Sequence, residues 1–298
     1  MDHSKQTRLS FKRRLKAYAQ LIRLDKPIGI FLLLWPTLWA LWIASEGMPD
    51  FSILAIFIAG VFLMRSAGCA INDYADREID PLVARTRHRP LATGAIQPKE
   101  ALILFALLAL LAFALVFMLN PLTRWMSVAA VLLAASYPFM KRFHHLPQVH
   151  LGVAFAWAIP MAFTAQTGNF PSETGWLVFL AAILWTTAYD TMYAMADRED
   201  DLSVGVKSTA LLFGDADRFI IGLLQGLVLF TLFLIGLKQD FHWPYWSGLI
   251  IATVLALYQQ FLIQQRQPED CFRAFLNNNY FGLAVFAGIA ADYLLQGV

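Results

Sequence analysis

Residues 175–195 read GWLVFLAAILWTTAYDTMYAM, an apolar run that contains one charged side chain, Asp190. A hydrocarbon core about 30 Å thick is crossed by a helix of roughly 20 apolar residues. Such a segment must be helical because no water at that depth can satisfy its backbone polar groups. The run therefore predicts a transmembrane helix that carries a carboxylate.

Similar apolar stretches recur along the whole 298-residue chain. Hydrophobic residues make up 58% of the sequence and charged residues 15%, against about 25% charged in soluble domains. We predict an all-α fold, a polytopic membrane bundle of nine transmembrane helices forming a single domain over residues 1–298. The predicted spans are 27–45, 51–71, 101–119, 122–140, 150–166, 175–195, 217–236, 244–263 and 274–296.

Lysine and arginine are distributed unevenly around these spans. The basic arm 1–26 and the even-numbered loops hold 20 of the 23 basic residues, and the opposite loops hold only Arg124 and Lys238. Cytoplasmic loops carry such an excess, so we expect the N-terminus and these loops to face the cytoplasm from a bacterial inner membrane. The basic residues are topology markers on this interpretation, and nothing in the sequence supports nucleic-acid binding.

Two predicted cytoplasmic loops, 72–100 and 196–216, are long and polar. Each follows a span that ends in acidic residues, and the acidic segments lie about 120 residues apart with four spans between them. This spacing indicates two pseudo-repeated four-helix units plus one further helix.

The first acidic motif is NDYADREIDP, residues 72–81. At about 100° per residue, Asn72, Asp76 and Asp80 fall on one helix face, with Asp73 at its edge. Pro81 predicts that the helix ends at Asp80. The motif therefore predicts a row of side-chain oxygens along one face of the helix, suited to bind a metal ion.

The second motif places Asp190, Asp197 and Asp201 within about 40° of one another on a helix. Solvated helix ends are the alternative interpretation of both motifs, but Asp190 lies well inside a span, where a carboxylate is costly and usually marks a site. Carboxylates four residues apart suit Mg²⁺, which takes oxygen ligands together with substrate phosphates and water. No histidine or cysteine cluster at ligand spacing accompanies them, which argues against zinc.

Cations on the same face would neutralise a diphosphate. Tyr137 and Lys141 are four residues apart and point the same way; an aromatic-belt tyrosine beside a topology-marking lysine remains open as the alternative. Arg65 lies on the face of Asn72, about two turns deeper. It is either part of an internal ion pair, for which Asp190 is the candidate, or the binding group for an anionic second substrate, and we favour the second. The other basic candidates are Arg85, Arg89 and Lys207.

These motifs resemble those of the intramembrane prenyltransferases of the UbiA type. NDYADREID is similar to the NDxxDxxxD signature, Asp197–Asp201 resembles the second DxxxD motif, and YPFMK at 137–141 resembles the YxxxK element. The segments RLDKPIGIFLLLWPT at 23–37, YDTMYAMADREDD at 189–201 and GVKSTALLFG at 205–214 look most like the branch that acts on 4-hydroxybenzoate. The resemblance spans essentially the whole chain.

The resemblance implies a membrane-embedded, Mg²⁺-dependent transfer of a polyprenyl group from polyprenyl diphosphate to 4-hydroxybenzoate, at the carbon ortho to the hydroxyl, in ubiquinone biosynthesis. It implies that Arg65 pairs with the aromatic carboxylate and that Asp190 orients or polarises the phenol, these two being the catalytic candidates. Groups expected to bind diphosphate oxygens are Tyr137, Lys141, Arg85, Arg89 and Lys207. The expected Mg²⁺ and diphosphate ligands are Asn72, Asp76, Asp197 and Asp201, supported by Asp73 and Asp80.

Three other interpretations stay open at this point. Another branch of the same family would use haem, a naphthoate or a chlorophyllide as acceptor. A cation transporter with an Asp-lined pathway belongs to a different class, although its acids would be expected near broken helices at mid-membrane. A purely structural membrane subunit would not need two aligned acidic stripes.

Overall fold

The computed structural model describes residues 11–83 and 85–297, and within these ranges all regular secondary structure is helical, with no β-strand. Three short 3₁₀ turns, at Asp80–Leu82, Gly214–Ala216 and Ile263–Gln265, join the helices. The α-helices are α1 (Phe11–Leu21), α2 (Ile28–Ala44), α3 (Phe51–Ala75), α4 (Pro98–Val116), α5 (Pro121–Met140), α6 (Pro147–Ala156), α7 (Ala158–Thr167), α8 (Glu173–Ala196), α9 (Arg198–Val204), α10 (Thr209–Phe213), α11 (Asp217–Lys238), α12 (Trp243–Leu262) and α13 (Pro268–Gln296).

Six segments of the described chain are long and apolar enough to cross a bilayer, and α2 is a shorter apolar helix of 17 residues. The protein is therefore a multi-pass membrane protein of the all-α class. Each of the nine predicted spans falls on one helix or, for 150–166, on the α6–α7 pair. The six segments are Phe51–Ala75, Pro98–Val116, Pro147–Thr167, Glu173–Ala196, Thr209–Lys238 and Trp243–Gln265.

Three successive asparagines of α13, Asn277–Asn279, link this helix to three others. Asn277 Oδ1 accepts a hydrogen bond from Gln259 of α12 at 3.0 Å. Asn278 Oδ1 accepts one from the indole of Trp185 in α8 at 2.8 Å, and Asn279 Oδ1 one from Trp35 in α2 at 2.9 Å. Side-chain hydrogen bonds of this kind link helices where apolar contacts alone do not discriminate between partners.

The span predicted at 150–166 is interrupted at Trp157, where α6 gives way to α7. Pro160 explains the break: its nitrogen carries no hydrogen for the carbonyl four residues earlier, and its ring crowds that carbonyl. The two halves still form one apolar segment of 21 residues, Pro147–Thr167.

The helix that carries the first motif ends earlier than the sequence predicts. The prediction that it continues to Asp80 is wrong, because α3 ends at Ala75 and Asp80 begins a 3₁₀ turn. Arg142 donates a hydrogen bond to the Ala75 carbonyl, and a cationic side chain on a terminal carbonyl stabilises a helix end. In the second motif α8 likewise ends at Ala196, and Asp201 lies on the separate helix α9. The chain turns at both motifs instead of extending them as straight stripes.

Candidate active site

One cavity of about 740 Å³ runs between the helices from the acidic motifs into the bundle. Its walls come from α2 to α8, from the end of α1 and the turn after it, from the start of α13, and from the segments that follow α3 and α8. All of the site residues predicted from the sequence line it: Arg65, Asn72, Asp73, Asp76, Asp80, Arg85, Arg89, Tyr137, Lys141, Asp190, Asp197, Asp201 and Lys207. The fold therefore brings together residues that lie more than a hundred positions apart in the chain.

Asp76 lies at the centre of the first motif, at the C-terminal end of α3. Its Oδ2 accepts hydrogen bonds from Lys141 Nζ at 2.5 Å and Asn72 Nδ2 at 3.3 Å. Its Oδ1 is buried and has no hydrogen-bond partner. An unsatisfied carboxylate oxygen is costly in such a place, so this atom is oriented for a ligand that the protein itself does not supply.

The other two acids of the first motif are neutralised by arginines. Asp73 is fully buried and pairs with Arg23 at 2.7 Å and Arg89 at 3.2 Å. Arg89 also reaches both oxygens of Asp80 at 3.0 Å. Burial raises the pKa of Asp80 to about 6, which the charge of Arg89 opposes. Both oxygens of Asp80 are therefore occupied by Arg89, whereas Asp73 uses only Oδ1 for its arginines and its buried Oδ2 has no hydrogen-bond partner.

Arg23 is a residue of the site that the sequence analysis missed, because it was counted as a topology marker in the basic arm. It lines the cavity and carries a left-handed φ of 59° in the turn between α1 and α2. The available signal was its place at the start of RLDKPIG, in the segment that resembles the 4-hydroxybenzoate branch.

Arg85 connects the two acidic motifs. Its Nε lies 2.8 Å from Asp197 Oδ1 and its Nη2 also contacts Asp197 Oδ2, a two-pronged ion pair. The guanidinium also lies over the ring of Tyr193, 4.4 Å from its centroid. Because the guanidinium is planar and binds both carboxylate oxygens, the pair fixes the orientation of the two groups as well as neutralising their charges. It therefore ties the segment after α3 to the end of α8.

The second motif is completed by Asp201 on α9 and by Lys207. Burial raises the pKa of Asp201 to about 7, and the neighbouring Asp197 adds to the effect. Lys207 donates through Nζ to the carbonyl of Phe143 at 3.1 Å and through its backbone N–H to the carbonyl of Lys141 at 3.1 Å. These contacts place Lys207 beside Lys141 at the mouth of the cavity.

Arg65 and Asp190 lie deeper, on α3 and α8. Arg65 Nη1 contacts Cys69 Sγ at 3.1 Å, whereas its Nε is buried without a partner. No ion pair joins Arg65 to Asp190 within residues 11–83 and 85–297. The internal ion pair considered as an alternative is therefore not formed, and the guanidinium keeps capacity for an anion.

Gly29 of α2 makes room for that guanidinium. A Cβ at this position would lie 2.3 Å from Arg65 Nε and 2.5 Å from Nη2, well inside van der Waals contact. Only glycine lets the α2 backbone approach the arginine so closely. Nearby, the hydroxyl of Tyr189 is buried and also without a hydrogen-bond partner.

An ion-pair cluster around Asp217, which the sequence did not indicate, anchors the start of α9. Asp217 is fully buried at the start of α11 and accepts hydrogen bonds from Arg198, from Arg266 Nε at 3.0 Å and from the N–H of Arg218 at 2.6 Å. Arg198 directly follows Asp197, so the cluster fixes the turn that carries the second motif. The two arginine side chains lie 19 and 49 residues from Asp217 and follow no helical spacing, which is why no pattern indicated them.

The donor set fits a hard divalent cation better than a soft one. Within the described ranges no three or more His, Cys, Asp or Glu side chains form a ready-made metal cluster. Mg²⁺ is commonly held by one or two carboxylates, with substrate phosphates and water completing its shell. The free oxygen of Asp76, with Asn72 adjacent and Asp197 and Asp201 also lining the cavity, matches that mode of binding.

A cavity between apolar helices, lined by carboxylates and cations at one end and by Arg65 and Asp190 further in, suits an anionic ligand in an intramembrane protein. The model of the UbiA prenyltransferase family matches residues 33–284. The chain belongs to this family and is a prenyltransferase. Family membership sets aside the cation transporter and the purely structural subunit.

Curated relatives match nearly the whole chain. It is 61% identical to the 4-hydroxybenzoate octaprenyltransferase of Nitrosococcus oceani, over 95% of this chain and 99% of the relative. It is 55% identical to the protein of the same name from Coxiella burnetii, over 96% and 99%.

Solved structures share the fold. The UbiA homolog from Aeropyrum pernix superimposes with a TM-score of 0.76 at 25% identity, over 91% of this chain and 98% of that one. A UbiA homolog from Archaeoglobus fulgidus, bound to GPP and Mg²⁺, superimposes with a TM-score of 0.72 at 21% identity, over 95% and 100%.

Proposed function

We propose that this protein transfers a polyprenyl group from polyprenyl diphosphate to the ring carbon ortho to the hydroxyl of 4-hydroxybenzoate, in ubiquinone biosynthesis. The observation that carries the proposal is the division of one cavity into two layers, with carboxylates and cations at the mouth and Arg65 and Asp190 beneath them. Relatives that are 55–61% identical are named for an octaprenyl transfer to the same acceptor, which favours it over haem, naphthoate or chlorophyllide.

The shallow layer suits the diphosphate. Asn72, Asp76, Asp197 and Asp201 would hold Mg²⁺, and Asp73 and Asp80 would support them through Arg23 and Arg89. Bound there, Mg²⁺ supplies charge that stabilises the departing diphosphate. Lys141 and Arg85 form ion pairs with the carboxylates of Asp76 and Asp197 at the mouth of the cavity. A diphosphate bound between these carboxylates would therefore contact both cations. The remaining groups proposed to contact its oxygens are Tyr137, Arg89 and Lys207.

The deep layer suits the acceptor. Arg65 offers an unsatisfied guanidinium nitrogen, and a carboxylate is the group that a guanidinium binds most specifically. Asp190 would accept a hydrogen bond from the phenol, or its proton, and so increase the electron density of the ring. The two roles are complementary because 4-hydroxybenzoate carries its carboxylate and its hydroxyl at opposite ends.

The residues then carry out a substitution on the aromatic ring. The bond between the allylic carbon and the diphosphate oxygen breaks, and its electron pair leaves with the diphosphate, towards Lys141 and Arg85. The ring carbon ortho to the hydroxyl forms the new carbon–carbon bond, and the proton on that carbon passes to the departed diphosphate. The apolar wall of the cavity excludes water that would otherwise capture the allylic cation.

The membrane arrangement extends the same proposal. Nine helical segments would cross the bilayer as one domain, 1–298, in two pseudo-repeated four-helix units plus one helix. The cytoplasmic active-site segments would be about 72–100 and 196–216, with the basic arm 1–26 on the same side of a bacterial inner membrane. The 20:2 distribution of basic residues supports this topology.

Product analysis tests the function directly. Purified protein in detergent or lipid nanodiscs receives a prenyl diphosphate, 4-hydroxybenzoate and Mg²⁺, and the extract is examined by mass spectrometry. We expect the 3-polyprenyl derivative of the acid, dependent on both substrates and abolished by EDTA. Absence of this product from protein that still binds prenyl diphosphate would overturn the assignment of the acceptor.

A further inference from the structure

Helix α1 lies against the end of the bundle that bears the acidic motifs. Tyr18 Oη donates to Glu100 Oε1 at 2.7 Å, and Arg14 also pairs with Glu100. Glu100 belongs to the first turn of α4, one of the membrane-crossing helices. Because that turn is where a span begins, α1 is held at the level of the membrane surface.

Only part of α1 is covered by the protein. Ala17 and Leu21 are buried in a small cluster with Leu91 and Ile96. Phe11 and Leu15, which are four residues apart and so share a face, are 81% and 60% exposed. An exposed stripe of two large apolar side chains on a helix beside the bilayer is stabilised by an apolar environment, and residues 11–83 and 85–297 do not provide one.

Cations occupy the rest of the exposed surface of α1. Lys12, Arg13 and Lys16 are exposed, and at about 100° per residue Lys12 and Lys16 project from a face beside Phe11 and Leu15. A helix with adjacent apolar and basic stripes lies in the plane of the interface, with its apolar side among the lipid headgroups and its cations on anionic lipid.

We propose that α1 binds the anionic lipid surface of the bilayer on the side of the active-site cavity. Phe11 and Leu15 insert at the headgroup level, and Lys12, Arg13 and Lys16 interact with lipid phosphates. The charges of this surface are complementary to those of an acidic leaflet, and Glu100 fixes the helix at the height where such a leaflet lies.

This surface also reaches the active site. The turn after α1 carries Arg23, whose contact with Asp73 belongs to the first motif, and Gln20 and Lys26 line the same cavity. Lipid that holds α1 in place therefore stabilises one wall of the cavity mouth.

Hydrogen exchange on the full chain tests the proposal without relying on turnover. The protein is reconstituted into nanodiscs of phosphatidylcholine alone and into nanodiscs that also contain phosphatidylglycerol, and exchange of the 11–21 amides is followed by mass spectrometry. Each cation at an anionic surface changes the binding equilibrium by about fivefold. We therefore expect the acidic lipid to increase protection of these amides by at least tenfold and by up to roughly a hundredfold.

Two variants identify the groups responsible. Combined Lys12→Gln, Arg13→Gln and Lys16→Gln removes the dependence on phosphatidylglycerol, whereas Phe11→Ser with Leu15→Ser lowers protection in both bilayers. The matched control neutralises three exposed cations elsewhere, Arg87→Gln, Lys99→Gln and Arg273→Gln, and keeps the dependence. Protection of the α8 amides shows in each case that the bundle is intact.

Equal protection of residues 11–21 in the two bilayers would overturn the proposal, and so would a lipid dependence that survives the first variant. Neither result bears on which acceptor the enzyme prenylates. Conversely, if wild-type protein forms no prenylated product, the hydrogen-exchange experiment still tests the binding of α1 to anionic lipid.

Discussion

Replacing Gly29 by alanine should impair acceptor binding and spare the prenyl diphosphate. The added Cβ would lie 2.3 Å from Arg65 Nε, where ordinary contact begins near 3.4 Å. The guanidinium must therefore move by roughly 1 Å, which it can do because it is the end of a flexible side chain. The bundle should fold, with Arg65 displaced from its position.

The size of the effect follows from the interaction that Arg65 is proposed to make. A hydrogen bond to a charged group contributes about 1.5–3 kcal/mol, and 1.4 kcal/mol corresponds to a factor of ten. We expect KM for 4-hydroxybenzoate to rise by between about tenfold and a hundredfold. KM for the prenyl diphosphate should change by less than about twofold, because no contact at the mouth is altered.

Initial rates with radiolabelled 4-hydroxybenzoate, at saturating prenyl diphosphate and Mg²⁺, measure this split. Gly226→Ala is the matched control, since a Cβ there meets nothing within 4 Å and the exchange otherwise makes the same change in a membrane helix. Arg65→Lys should resemble Gly29→Ala. An unchanged KM for the acid in Gly29→Ala, with the protein folded, would refute the assignment of Arg65 to the acceptor carboxylate.

Three further predictions concern the other parts of the site. Asp190→Asn should lower kcat by about 10²–10⁴ with little change in KM for prenyl diphosphate, as expected for a group that assists proton transfer; steady-state kinetics that show an unchanged kcat would exclude this role. Asp76→Asn should require at least about tenfold more Mg²⁺ to recover activity after EDTA treatment, because one charged ligand is lost, and an unaltered Mg²⁺ titration would remove Asp76 from the metal site. Asp217→Asn should reduce the free energy of unfolding by about 1.5–3 kcal/mol, measured as a lower Tm. The control Glu173→Gln, in an exposed ion pair, should change the free energy of unfolding by under about 1 kcal/mol. Equal Tm shifts in the two variants would contradict the structural role of Asp217.

The fold class was predictable because the bilayer leaves little choice. A run such as 175–195 has the length of a span and must be helical in lipid, and helix α8 covers it. The helix ends at the motifs were not predictable, since periodicity gives no reason to stop at Ala75 or Ala196. Those ends depend on tertiary contacts, as that of Arg142 with the Ala75 carbonyl shows.

The candidate site was predictable where its residues repeat at helical spacing or lie in a span. Asp76 and Asp190 are of this kind, and both line the cavity. Arg23 and Asp217 were not predicted because their ion-pair partners are distant in sequence. For Arg23 there is a second reason, since the positive charge of the basic arm is already explained as a topology signal. Pairwise contacts of that sort appear only when the helices are packed.

The three asparagines of α13 have a consequence for biogenesis. Their partners on α2, α8 and α12 leave the ribosome first, so the indole N–H groups of Trp35 and Trp185 enter the membrane before their acceptors exist. Until α13 inserts, these donors have only lipid, water or a translocation factor to satisfy them. Final closure of the bundle must therefore wait for this helix, and a nascent chain arrested before residue 277 keeps both indole donors without their native acceptors.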